Sequence, residues 1–191
     1  MRATTPIIAV YGSSTVREGD DAFHEAHVLG TALATRGAAV MTGGYDGVMA
    51  ACSRGAHEAG GHVIGVTVEL FERRGPVNPW VKERVHMPDL YARLDHLVDR
   101  ADGFVVATGS IGTLTELFLT WTLLSVAARP PAPIVLMGSH WRPWIEAHRG
   151  PRLVPEPLLR HLIVADTPEQ AATDVLAGLA SPIGAQKDVH A

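Results

Sequence analysis

A chain of 191 residues with 47% hydrophobic and 19% charged residues is long enough for one core and short for two, and it can bury that core without metal or disulfide staples. Its net charge is −4 at pH 7 and its 16 Lys and Arg residues are scattered rather than striped, which argues against the basic face of a nucleic-acid binder. Cys52 has no partner for an internal disulfide, Met1 to Pro6 is short and polar rather than a charged and then apolar leader, and no apolar run approaches the roughly 18 residues needed to cross a bilayer; a cytoplasmic protein that binds neither membrane nor nucleic acid is expected.

In chain order, Ile7 to Tyr11 reads as a strand that ends in the turn Gly12-Ser13-Ser14, and Asp21 to Arg36 as a helix stopped by Gly37. Ala38 to Thr42 is a second strand, ending at Gly43-Gly44, and Gly47 to Ala59 a helix stopped by Gly60. His62 to Val66 is a third strand. Thr67 to His86, carrying Phe71, Arg73, Arg74, Pro76, Pro79 and Trp80 without a clean period, reads as a long loop, either an irregular surface excursion or a functional lid. Leu90 to Arg100 is a helix, Gly103 to Ala107 a strand, Thr113 to Val126 a strongly apolar helix and Ile134 to Met137 a strand. Beyond Met137 the pattern weakens to a short helix over Trp141 to His148, a better one over Thr167 to Leu179 opened by Thr-Pro, and a frayed tail. Strands alternating with helices pair in parallel, so the expected fold is a Rossmann-like open α/β sheet with helices on both faces. It occupies a single domain over residues 1–180, followed by a flexible tail over 181–191.

Three strands end in small-residue turns on one sheet edge: Gly12-Ser13-Ser14, Gly43-Gly44 and Gly109-Ser110-Ile111-Gly112-Thr113. Glycines let backbone N–H groups approach an anion, and a following helix N-terminus adds about half a positive charge, so together these turns read as a phosphate site. The first turn lacks the full dinucleotide glycine pattern and no triphosphate-binding P-loop occurs. The chain has two lysines, Lys82 and Lys187, which leaves a Schiff-base cofactor almost no candidate; no cofactor is expected. No metal is expected either, since the ten histidines form no ligand cluster. Thr113-Leu114-Thr115-Glu116 has the spacing of a helix capping box, which would by itself explain Glu116. Arg93 is equally readable as a solvated helix arginine. Yet both fall in the first turns of helices flanking one strand, so they emerge at the same sheet edge.

The stretches Gly43-Gly44-Tyr45-Asp46-Gly47-Val48-Met49, Gly55-Ala56, Ala59 to Val66 and Gly109 to Glu116 resemble the LOG-type phosphoribohydrolases, often misnamed lysine decarboxylases, over roughly residues 7–137. The resemblance implies cleavage of the N-glycosidic bond of a nucleoside 5′-monophosphate, of AMP or cytokinin ribotide type, to free base and ribose 5-phosphate. It assigns catalysis to Arg93 and Glu116 and substrate binding to Ser13, Gly43, Gly44, Met49, Gly109, Ser110, Ile111, Gly112 and Thr113. The family's P-G-G-x-G-T-x-x-E hallmark is altered here to Thr108-Gly109-Ser110-Ile111-Gly112-Thr113-Leu114-Thr115-Glu116, and the lysine common after its arginine is Leu94. The rival reading is a non-catalytic carrier of a nucleotide or of molybdenum cofactor on the same fold. The resemblance and the surplus apolar surface of the 113–126 helix also lead to the expectation of a homodimer, with Trp121 as an interface anchor.

Overall fold

The central strands carry unbroken runs of buried residues rather than alternating ones, as parallel strands covered on both faces must. They are β1 (Ile7–Tyr11), β2 (Ala39–Thr42), β3 (Val63–Val68), β5 (Gly103–Val106) and β6 (Ile134–Met137). The structure, a computed structural model, describes residues 5–73 and 75–180; the tail expected over 181–191 lies outside them. Two edge strands, β4 (Glu83–Met87) and β7 (Leu162–Ala165), complete a seven-stranded sheet of order β4-β3-β2-β1-β5-β6-β7, parallel throughout.

Helices α1 (Asp21–Thr35), α2 (Val48–Glu58) and α8 (Pro168–Ala180) cover one face, where Leu29, Leu33, Cys52 and Val175 meet Ile8, Val10, Val40 and Val105. The other face lies under α4 (Leu90–Asp99), α5 (Ile111–Ser125), α6 (Trp141–His148) and α7 (Glu156–Leu159), where Leu97, Leu117 and Trp141 meet Tyr11, Met41, Phe104 and Leu136. One further helical turn, α3 (Glu69–Glu72), follows β3 directly. No described helix is long and apolar enough to cross a membrane.

Three expectations change. Half of the 67–86 stretch is regular structure rather than loop: Thr67 and Val68 finish β3, α3 follows, and Glu83–Met87 pairs in parallel with β3. Its edge position leaves β4 half exposed, with Glu83, Arg84 and His86 on it, so no apolar run announces the strand. Helix α5 begins at Ile111 with Ser110 at the N-cap, so Thr113 lies within the first turn and Glu116 in the second, and the capping box is not formed. Trp121 is buried within its own subunit, its Nε1 donating to the Leu158 carbonyl, and so is no interface anchor.

Chain order reverses between β1 and β5, with β2 to β4 on one side and β5 to β7 on the other. The helices that follow these two strands, α1 and α5, lie on opposite faces of the sheet, and a crevice opens at the strands' C-terminal ends, the usual ligand site of such sheets. On the far face α1 and α2 approach so closely that a methyl on Gly30 would overlap the Cys52 carbonyl. Gly30→Ala is therefore expected to lower stability by about 1–3 kcal/mol in urea unfolding despite alanine's better helix propensity; an unchanged midpoint would contradict the close packing.

Candidate active site

The site grows from a mismatch in strand length. Pairing of β2 with β3 ends at Thr42 and Gly65, whereas β3 runs on to Val68 beside β4. His62 gives its carbonyl to Val40 on β2, so Val66 and Val68, of the same parity, turn their backbone groups towards the place β2 has vacated. Side chains take the missing strand's role there. Arg93 Nε donates to the Val66 carbonyl at 2.8 Å. The Tyr45 hydroxyl donates to the Val68 carbonyl at 2.8 Å and accepts from the Val68 N–H at 2.9 Å.

Arg93 comes from the first turn of α4, whose entry is set by Asp89 accepting from the Ala92 N–H at 2.9 Å. The residue is 4% exposed. Its guanidinium lies 5.4 Å from the centroid of the Phe71 ring. A Cβ on Gly43 would overlap Nη2, so only glycine leaves room for the guanidinium at that turn. Nη1 stands 3.6 Å from Glu116 Oε1, an ion pair beyond hydrogen-bond length.

Glu116 is carried by α5, and the turn that starts this helix is tied to the β1 turn by Ser13 N donating to the Thr108 carbonyl at 2.9 Å. Its side chain is 13% exposed. Burial pushes the carboxyl up to about 7, against the opposing pull of Arg93. A carboxyl that exchanges its proton near neutrality inside a cleft is a candidate for acid–base or charge-stabilising chemistry.

These groups open onto a cavity of about 610 Å³, within the range of small-molecule sites. Of the residues singled out from the sequence, Gly43, Met49, Arg93, Ser110, Ile111, Gly112, Thr113 and Glu116 line it. Ser13, Gly44 and Gly109 stand behind the wall. Ser13 Oγ bonds to Thr15 and its carbonyl accepts from the Val48 N–H; Gly44, at φ 81°, packs against Gly65; Gly109 packs against the Thr113 side chain. Sequence reasoning missed Ser14, Thr15, Arg17, Tyr45, Asp46 and Pro76 among the lining residues, and Phe71, which lies against Arg93. Tyr45 and Asp46 sit inside the glycine motif, which was the signal available for them. Lys82 donates to the Gly61 carbonyl and is not among the lining residues. Among the described residues no group of three or more His, Cys, Asp or Glu side chains is placed to hold a metal ion.

Fold and cavity together define a Rossmann-like α/β protein with a cavity at its topological switch point. A family model described as "possible lysine decarboxylase" matches residues 49–175; the chain belongs to this family, the LOG family. It is 28% identical over 152 residues to the cytokinin riboside 5′-monophosphate phosphoribohydrolase of Mycobacterium tuberculosis, covering 75% of this chain and 79% of that one. It is 30% identical over 143 residues to the pyrimidine/purine nucleotide 5′-monophosphate nucleosidase of Escherichia coli, covering 69% of this chain but 31% of that longer enzyme. Among solved structures, the molybdenum cofactor binding protein of Rippkaea orientalis shares the fold at TM-score 0.72 and 22% identity, covering 93% of this chain and 98% of that one. The molybdenum cofactor carrier protein of Chlamydomonas reinhardtii aligns at TM-score 0.69 and 26% identity over 93% of this chain and 99% of its own.

The raised Glu116 carboxyl has a consequence for stability. The fold prefers the protonated acid, so this contribution is full below the ordinary carboxyl value of 4.5 and is lost as pH rises through about 7. Relative to wild type, Glu116→Gln should therefore gain on the order of 2–3 kcal/mol in unfolding free energy between pH 5 and pH 8. A pH-independent difference in denaturant unfolding would contradict the buried, proton-holding carboxyl.

Proposed function

We propose that this protein hydrolyses the N-glycosidic bond of a nucleoside 5′-monophosphate, of AMP or cytokinin ribotide type, to free base and ribose 5-phosphate. The observation that carries this reading is the buried Arg93–Glu116 pair on the wall of a nucleotide-sized cavity, beside the first turn of α5. That turn offers the N–H groups of Ile111, Gly112 and Thr113 and the Ser110 hydroxyl to a phosphate, with the helix dipole favouring its charge. With phosphate held there, the ribose extends towards Glu116. Cleavage builds oxocarbenium-like positive charge on the sugar; the ionised carboxylate stabilises it and orients a ribose hydroxyl or the attacking water. Arg93 favours the ionised state of Glu116 and stabilises charge on the departing base. The names of the relatives from Mycobacterium tuberculosis and Escherichia coli support the same reaction class.

A second reading, a non-catalytic carrier of a nucleotide or of molybdenum cofactor, is favoured by the replacement of the hallmark proline and second glycine by Thr108 and Ser110 and by the likeness to the molybdenum cofactor carrier protein of Chlamydomonas reinhardtii. Incubation with a panel of nucleoside monophosphates, with release of free base followed by chromatography, separates the two. The enzyme reading predicts base release that falls at least about 100-fold in Glu116→Gln while AMP still binds more tightly than adenosine. It also predicts that kcat/KM climbs with pH to a plateau above about 7, because the carboxylate must be ionised. Tight nucleotide binding without base release by the wild type would establish the carrier instead.

Assembly as a homodimer belongs to the same proposal. Tyr91, Ile111 and Val126 are 85%, 78% and 65% exposed, and Phe118 is half-exposed, on α4 and α5 and just beyond α5. Such apolar surface on a lone subunit invites association, and a two-fold related copy would cover it without leaving an open-ended contact. Sedimentation at micromolar concentration should report about twice the 20.4 kDa chain mass; a clean monomer would overturn the dimer.

A further inference from the structure

The α3 segment, absent from the catalytic proposal, is fastened on three sides. Its entry is gripped by the Tyr45 hydroxyl on both backbone groups of Val68. On its outer side Glu72 pairs with Arg84 and His86 of β4. On its inner side Phe71 meets Tyr45 edge-on at 6.0 Å and covers the Arg93 guanidinium at 5.4 Å. Arg93 thus has its Nε on Val66, its Nη2 against Gly43, its Nη1 towards Glu116 and its Cζ over the Phe71 ring.

The geometry points to Phe71 as a positioning residue: its ring, held in place by α3, keeps the Arg93 guanidinium in the plane that faces Glu116. A guanidinium has two flat faces, and hydrogen bonds at its edge leave it free to tilt about them; an aromatic face removes that freedom and adds attraction between the cation and the ring. The Val66 bond fixes one edge only. Because the ion pair spans 3.6 Å without a hydrogen bond, a small tilt changes its strength, so the ring governs the alignment on which the chemistry depends. This inference rests on the hydrolase reading for its kinetic consequence and on the geometry alone for its structural one.

Phe71→Leu keeps apolar bulk and removes the π face; Phe71→Tyr keeps both. With a nucleoside monophosphate that the wild type hydrolyses, Phe71→Leu should lower kcat about tenfold with KM changed less than about twofold, and Phe71→Tyr should stay within about twofold of wild type. In an Arg93→Lys background, where no planar group remains to be aligned, Phe71→Leu should cost less than about twofold further. An equal tenfold loss there would overturn the proposal, since Phe71 would then act independently of Arg93. A second readout needs no activity: in proton-exchange NMR the Arg93 Nε–H, protected by Val66, should exchange at least about tenfold faster in Phe71→Leu and at the wild-type rate in Phe71→Tyr. Unchanged exchange in Phe71→Leu overturns the proposal whether or not any nucleotide is hydrolysed, whereas absence of base release by the wild type overturns only the hydrolase reading.

Discussion

The arrangement of this protein's site depends on one carbonyl, that of Val66. Beyond the end of β2 it is buried and has no strand to pair with, and a buried backbone acceptor left empty costs as much as a lost hydrogen bond. Arg93 fills the vacancy through Nε. Burying a guanidinium is itself unfavourable, and the surroundings offset it with the Glu116 carboxylate, the Phe71 ring and the room left by Gly43. Each of these residues is therefore explained by the length of a strand several residues away. Shortening β3 or lengthening β2 would remove the slot altogether.

That offset is incomplete, and the incompleteness is what makes the site chemically interesting. A bidentate, hydrogen-bonded Arg–Glu pair would hold the carboxyl far into its ionised range. At 3.6 Å the attraction is coulombic only, and desolvation of Glu116 outweighs it, leaving the carboxyl near neutrality. A proton can then be taken up or given within the ordinary pH range. The buried Tyr11 hydroxyl beneath, bonded to Thr120 at 3.1 Å and itself driven to a high value by burial, adds no competing charge.

Around this pair the three glycine-bearing turns divide into frame and wall. Ser13 donates to Thr108 and accepts from Val48, so it locks the first turn to the other two; Gly44 and Gly109 admit the close approach of Gly65 and Thr113. The residues that face the cavity are their neighbours Gly12, Ser14 and Gly43, together with the first turn of α5. Small residues in these turns thus serve two purposes: some let turns pack against one another, and others keep the ligand's space open.

Much of this was legible in the chain itself. Five central strands and the helices between them announce themselves because parallel strands buried on both faces are continuous apolar runs, and because Gly37 and Gly60 end helices where the period stops. Membership of the LOG family and the pairing of Arg93 with Glu116 followed from motif and spacing. Edge strand β4 did not, since an edge half open to solvent tolerates Glu83, Arg84 and His86 and carries no distinctive pattern; β7, Leu162–Ala165, is an apolar run of only four residues, too short to separate a strand from a helix turn by period. Nor did the true start of α5, where a capping-box spacing at Thr113 competed with a helix that in fact begins at Ile111. Local sequence determined which segments are strands, helices and turns, because periodicity and backbone preference are properties of neighbours along the chain. Only the tertiary structure decided that β3 outruns β2, that Arg93 and Phe71 meet there, and that Trp121 is covered from within, because those facts depend on register and packing between segments far apart in sequence.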